Sequence, residues 1–452
     1  MAVWPATFVV ALVTLALALA IVAWTPTEDR RFLLTAFCLS IVVRWALASL
    51  LAVGGVTLGW GDDLFGDARS YFRLGAYLAE RVTGQAYWTA VHPSVLDHFN
   101  LGYLWNYYYL TFKGGYPTTI NLLNLWTYMC GGIFTWFGYS PLAMQFLSGT
   151  LFSIGTICFY HVVRPIGGPR PAKLATGLYL LWPSLLLWSV TGLLEAATHA
   201  MIWGLWLGVR TALHRGRVRW WLGVVMGLVG FFYLRPVVSL IFLVAVVPLE
   251  IVAAWWVGAR GGRPFRALAV FLLCGLLVSG TMAFTAKYLY RATGENIFYS
   301  LVARQLGGTS TQGTNIYIYP YRFYSSQGSL AKVSPLTVGE LGSAFLYGLA
   351  HLVFAPFPWR TVTGLQLAAL PETLLWSLLC GVAVLGFIGA RHRRGRFLLP
   401  LVGFTLVIVV ALSLGEGNVG TLFRHRGFLV PLTLFFAALV FAPEAEAGGE
   451  RG

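Results

Sequence analysis

The chain has 452 residues, of which 58% are hydrophobic and only 10% charged, and its mean hydropathy is +0.73. Soluble domains carry about 25% charged residues, so this composition excludes a soluble globular protein and points to a polytopic membrane protein. The net charge of +15 does not imply a nucleic-acid partner, because the Arg residues fall in short loops between apolar runs, where membrane topology accounts for them.

In chain order, apolar runs long enough to span a bilayer occur at 4–24, 33–58, 141–163, 193–213, 237–257, 267–288 and 370–390. Shorter runs at 174–191, 220–234, 397–414 and 426–442 can cross if flanking residues snorkel. The expected fold is an all-α polytopic membrane protein of about eleven transmembrane helices. The first run is too long for a signal-peptide core and lacks a basic flank, so it is expected to be a retained span. Two further runs, 119–137 and 341–357, are interrupted by Gly or Pro and read as interfacial or re-entrant helices.

If those two runs do not cross, the basic loops all fall on one side. They are Arg30 and Arg31; Arg164, Arg170 and Lys173; Arg210, Arg215, Arg217 and Arg219; Arg260, Arg263 and Arg266; and Arg391, Arg393, Arg394 and Arg396. The positive-inside rule makes that side cytoplasmic, as for a plasma (inner) membrane protein. Two long segments, 59–140 and 289–369, then lie outside. Loops this long are functional or disordered, and their Tyr, Trp and Gly content favours folded layers on the membrane surface. The chain reads as one transmembrane domain, 1–452, carrying these two external segments.

The first external segment contains a helical stripe. Ala68, Tyr71, Phe72, Gly75, Leu78, Ala79 and Val82 recur at helical spacing, with Arg69, Arg73, Glu80 and Arg81 on the other side. Such a helix is expected to lie in the interface plane. Asp67 stands at its N-cap and Gly84 where the chain leaves. With Asp62 and Asp63, Asp67 forms an external acidic cluster, and a carboxylate in a partly dry cleft can take a proton from an attacking hydroxyl or amine. A plain capping role for Asp67 is compatible with that chemistry.

Other ionisable residues stand near span ends. Arg424, His425 and Arg426 fall at the outer end of the last span, where the charge rule disfavours Arg. Guanidinium forks bind phosphate oxygens. Arg235, followed by Pro236, is a second phosphate candidate, and Arg304 a weaker external one. Glu195 lies near an outer span end, where an ionisable group is functional by default; it is suited to holding an acceptor, assisting Asp67 or pairing with Arg235. Arg44, inside the second run, is expected to snorkel toward Arg30 and Arg31. Tyr71, Tyr317, Tyr319 and Tyr321 offer aromatic faces to a sugar or isoprenoid.

Around Asp67 the sequence resembles the start of the first external loop of GT-C superfamily glycosyltransferases. The residues that carry the likeness are Asp67, Tyr71, Ala76 or Ala79, Leu78 and Gly84. Segments 182–197, 233–240, 354–360, 370–376 and 416–431 are similar in style to bacterial members. The resemblance implies transfer of a sugar from a polyprenyl-phosphate-linked donor to a glycan, lipid or protein acceptor outside the membrane, by an inverting displacement. Asp67 inherits the role of base or acceptor-positioning residue. Two departures stand out: an extra span precedes the usual first one, and the pair Asp62–Asp63 lies upstream, so the catalytic acid stays open among three.

A metal-binding motif is absent from the sequence, and His92, His98 and His199 are scattered. A divalent cation on Asp62, Asp63 and Asp67 is the one cofactor these acids allow, although nothing fixes its remaining ligands. The five Cys read as small core residues. Two rival functions use similar parts. An O-antigen-type polymerase or ligase also takes lipid-linked glycans at external Arg residues. A flippase or transporter of such glycans would favour midplane charges and inverted repeats.

Overall fold

The computed structural model describes residues 3–58, 68, 71–72, 74–76, 78–80, 82–84, 124–256, 338–360 and 364–441. Every element among these residues is helical. Five helices are long and apolar enough to cross a membrane, or seven if each of two bent pairs is one span. The expected run at 267–288 lies outside the described residues. The described residues gather into two compact units, 1–165 with 172–292, and 166–171 with 293–452.

In the first unit, α1 is Val3–Trp24, α2 is Thr27–Leu58, α3 is Leu125–Phe137, α4 is Pro141–Gly167, and α5 is Pro169–Leu181. They are followed by α6 (Pro183–Val190), α7 (Glu195–Arg215), α8 (Val218–Leu234), α9 (Pro236–Ile241) and α10 (Val247–Trp256). Two basic residues near the ends of α4 and α5 are held by acids of α2. Arg164 pairs with Glu28 at 2.6 Å and with Asp29 at 2.5 Å, and Lys173 reaches Asp29 at 2.8 Å. Both acids sit in the first turn of α2, where the helix dipole favours them.

Prolines set the breaks. A proline disfavours helical geometry in the residue before it. Trp182 is extended ahead of Pro183, so the expected 174–191 span is split into α5 and α6. Arg235, ahead of Pro236, also leaves helical geometry, at φ −151 and ψ 84, and ends α8. Between α9 and α10, Phe242–Val246 forms a π-helical turn, and beyond it Glu250 accepts from Trp206 Nε1 at 2.6 Å and from Arg210 Nε at 2.7 Å.

Two local expectations need correction. The described residues of 68–83 are helical, and Gly84 ends them at φ 69 with its N–H on Glu80 O at 2.8 Å. The stripe does not lie open at an interface, however: Ala68, Tyr71, Phe72, Gly75 and Ala79 are buried against protein, and only Val82 is exposed. Small and aromatic residues allow that close approach. An added Cβ at Gly75 would lie 2.5 Å from Cys130 Cβ, and Phe72 meets Phe134 edge-on with ring centroids 6.4 Å apart. Among the cysteines, Cys130 is buried but Cys38 is exposed on α2, so not all are core residues.

In the second unit, α11 is Val338–Phe354, α12 is Gly364–Gly415, α13 is Val419–His425 and α14 is Val430–Ala438. The 52 helical residues of α12 do not run straight. Trp376 Nε1 donates to Leu352 O, while an added Cβ at Gly348, one turn away on α11, would collide with the Ser413 carbonyl. Trp376 and Ser413 are 37 positions apart, about 55 Å in a straight helix. The chain therefore doubles back between them, in the interval that holds the basic stretch 391–396. This agrees with two expected spans, 370–390 and 397–414.

Candidate functional site

In the first unit the chain breaks inside an apolar stretch. α6 ends at Val190, Gly192 turns at φ 77, and α7 leaves at 108° to α6. Glu195 opens α7, where the helix dipole stabilises a carboxylate, and is 4% exposed. Arg235, kept out of helical geometry ahead of Pro236, places Nη1 3.2 Å from Glu195 Oε1. The Arg235 side chain keeps 17% of its surface. Of the roles open to Glu195, pairing with Arg235 is the one the geometry realises. Removing one partner from such a pair leaves a buried charge uncompensated.

One short segment fixes both sides of the pair. Asn124 caps α3 by accepting from Trp126 N at 2.8 Å, and its amide donates to Leu234 O at 2.9 Å, the carbonyl just before Arg235. Trp126 donates its indole N–H to Gly192 O at 2.9 Å, three residues before Glu195. Phe72 packs on Gly192 so closely that a Cβ there would strike its ring. The helix that follows Asp67 is thus seated on the same break as Glu195.

Beneath the pair, one turn along α7, His199 Nδ1 lies 2.7 Å from Tyr179 Oη, which accepts from Trp203 Nε1 at 3.3 Å. Arg44 is wholly buried nearby in sequence-distant company. Its Nε donates to Ser189 Oγ at 2.9 Å, Nη1 to Ser40 Oγ at 2.7 Å and Nη2 to Leu180 O at 3.0 Å. Its guanidinium lies 4.4 Å from the Phe152 ring centroid. The expectation that Arg44 snorkels is therefore wrong: acceptors from α2, α5 and α6 satisfy it in place, and the side chain gains nothing by reaching for the surface.

In the second unit, Asn418 caps α13 by accepting from Gly420 N at 2.8 Å and Thr421 N at 3.2 Å. The tripeptide 424–426 divides in burial. Arg424 is half-buried, His425 Nδ1 sits 2.8 Å from Glu416 Oε1, and Arg426 is 2% exposed. Arg426 donates through Nη1 to Ala355 O at 3.2 Å and through Nη2 to Thr373 Oγ1 at 3.4 Å, and faces the Phe423 ring at 4.3 Å. It holds the turn after α11 against α12.

Asp62, Asp63, Asp67, Arg304, Tyr317, Tyr319 and Tyr321 lie outside the described residues. Tyr71 is buried. Among the described residues no group of three His, Cys, Asp or Glu is placed to hold a metal ion. The sequence reading missed Asn124, Trp126 and Gly192. The sequence signals were a short polar residue, Asn124, ahead of an apolar run, which is common at helix starts, and a glycine, Gly192, inside one. Compared with known proteins, the chain matches no family model and no curated sequence.

Proposed function

We propose that this protein is a membrane glycosyltransferase of the GT-C kind, moving a sugar from a polyprenyl-phosphate carrier to an acceptor on the extracytoplasmic face. The observation that carries the reading is the Glu195–Arg235 pair at the α6–α7 break, with the helix that follows Asp67 packed on that break through Phe72. A cation fixed by a buried acid is suited to the charge that grows on a departing phosphate. An acid at the start of the packed helix is suited to accepting the proton of an attacking hydroxyl. Asp67 takes that role, with Asp62 and Asp63 as the neighbours to compare. Of the expected 424–426 cluster only the half-buried Arg424 stays a separate phosphate candidate, because His425 is turned to Glu416 and Arg426 is buried on Ala355 O and Thr373 Oγ1.

The test is sugar transfer by the purified protein in proteoliposomes supplied with a polyprenyl-phosphate sugar. Asp67→Asn is expected to lower turnover by about 100-fold or more, the scale of a lost general base. Full turnover in that variant, and in Asp62→Asn and Asp63→Asn, removes the acid cluster from catalysis. A lengthened or block-transferred glycan as product supports the polymerase or ligase reading. Movement of the lipid-linked glycan without any new glycosidic bond supports a flippase.

A further inference from the structure

We propose that the turn between α7 and α8 is a binding site for an anionic phospholipid. The turn joins α7, half of a bent pair long and apolar enough to cross a membrane, to the shorter apolar helix α8. Its charges suit it to the level where the hydrocarbon ends. Gly216 closes α7 in the left-handed conformation, and three arginines are exposed on and beside the turn: Arg215, Arg217 and Arg219. Two of them share one ring. The guanidinium carbons of Arg215 and Arg219 lie 5.3 and 5.7 Å from the centroid of Trp220.

Each cation is attracted to the aromatic ring, which gathers two exposed guanidiniums within about 6 Å of one centroid, and exposed guanidinium forks bind phosphate oxygens. The helix below supplies the rest of the site. Leu222, Met226 and Val229 are exposed along one face of α8, at spacings of four and three residues. The stripe starts about one turn, roughly 5 Å, beyond Arg219. An acyl chain laid along it brings its phosphate to the level of Arg215 and Arg219. The charge and the adjoining apolar stripe together select a phospholipid with a net negative headgroup over a zwitterionic one.

The full-length protein in detergent is titrated with phosphatidylglycerol and with phosphatidylcholine of the same chains, and bound lipid is counted by native mass spectrometry. The wild type is expected to hold phosphatidylglycerol about tenfold more tightly or better, the scale of a few surface arginines acting on an anionic lipid. Arg215→Gln with Arg219→Gln is expected to abolish the preference. Because loss of loop charge also bears on membrane orientation, Trp220→Leu is the second variant: it keeps every charge, and is expected to weaken phosphatidylglycerol binding severalfold. Equal retention of the two lipids by the wild type overturns the proposal. So does an unchanged preference in both variants.

Discussion

Trp126 and Gly192, 66 residues apart in the chain, are joined by an indole N–H donated to a backbone carbonyl at 2.9 Å. The carbonyl belongs to the residue whose positive φ turns α6 into α7. Trp126→Phe keeps an aromatic ring but loses the donor and the pyrrole half of a fully buried indole, so the Gly192 carbonyl loses its partner and a cavity is left beside it. The expected cost is about 1–3 kcal/mol, read as a lowered thermal midpoint in detergent. Gly192→Ala combines backbone strain with a clash at Phe72 and is expected to cost more than Trp126→Phe.

The Glu195–Arg235 pair lends itself to a double-mutant cycle. Glu195→Gln or Arg235→Gln alone strands a charge and is expected to destabilise by about 3–5 kcal/mol. The double variant is expected to cost less than the two singles together, because no charge is then stranded. Additive costs in equilibrium unfolding would show that the two side chains do not depend on each other.

Arg44 carries three hydrogen bonds that converge from different helices. A lysine there is one compact charge and cannot span the same three acceptors. Arg44→Lys is expected to lower stability by about 2–4 kcal/mol, counting the acceptors left unmade. Ser189→Ala removes one acceptor only and is expected to cost less; the two midpoints compared by thermal unfolding check the order.

Arg426 ties the turn after α11 to α12 through Ala355 O and Thr373 Oγ1. Arg426→Lys is expected to loosen this turn, raising protease cleavage between 355 and 360 while leaving the rest of the second unit resistant. Arg424→Gln, at a half-buried position in the last turn of α13, is expected to leave cleavage unchanged. If Arg424 serves the donor phosphate, sugar transfer falls in that variant without loss of fold.

Hydropathy located most of the helices, because apolar length is what a bilayer demands. It also separated 370–390 from 397–414 correctly, since the charges at 391–396 interrupt the apolar run. It failed at Trp182–Pro183. There the apolar run continues, and what stops the helix is a steric effect of proline on its neighbour. Glu195 and Arg235 were legible as site candidates because charges near a span end are costly. Their union with Asn124 and Trp126 was not, because it depends on hydrogen bonds closed across 66 and 110 residues of chain. Arg44 was misjudged for the same reason: Ser40 is one turn away, but Ser189 and Leu180 O reach it only through the packing.

The wide turn at Phe242–Val246 works as a phase shifter. An extra residue in a helical turn rotates everything after it by about 100°. At the first residue of the turn the chain is in step with the aromatic cluster, with Phe242 edge-on to Trp206 at 6.0 Å. After it, the new angular setting brings Glu250 round to Arg210. Deleting a single residue from this turn would leave hydropathy nearly untouched, yet swing Glu250 out of line and strip Arg210 of its acid.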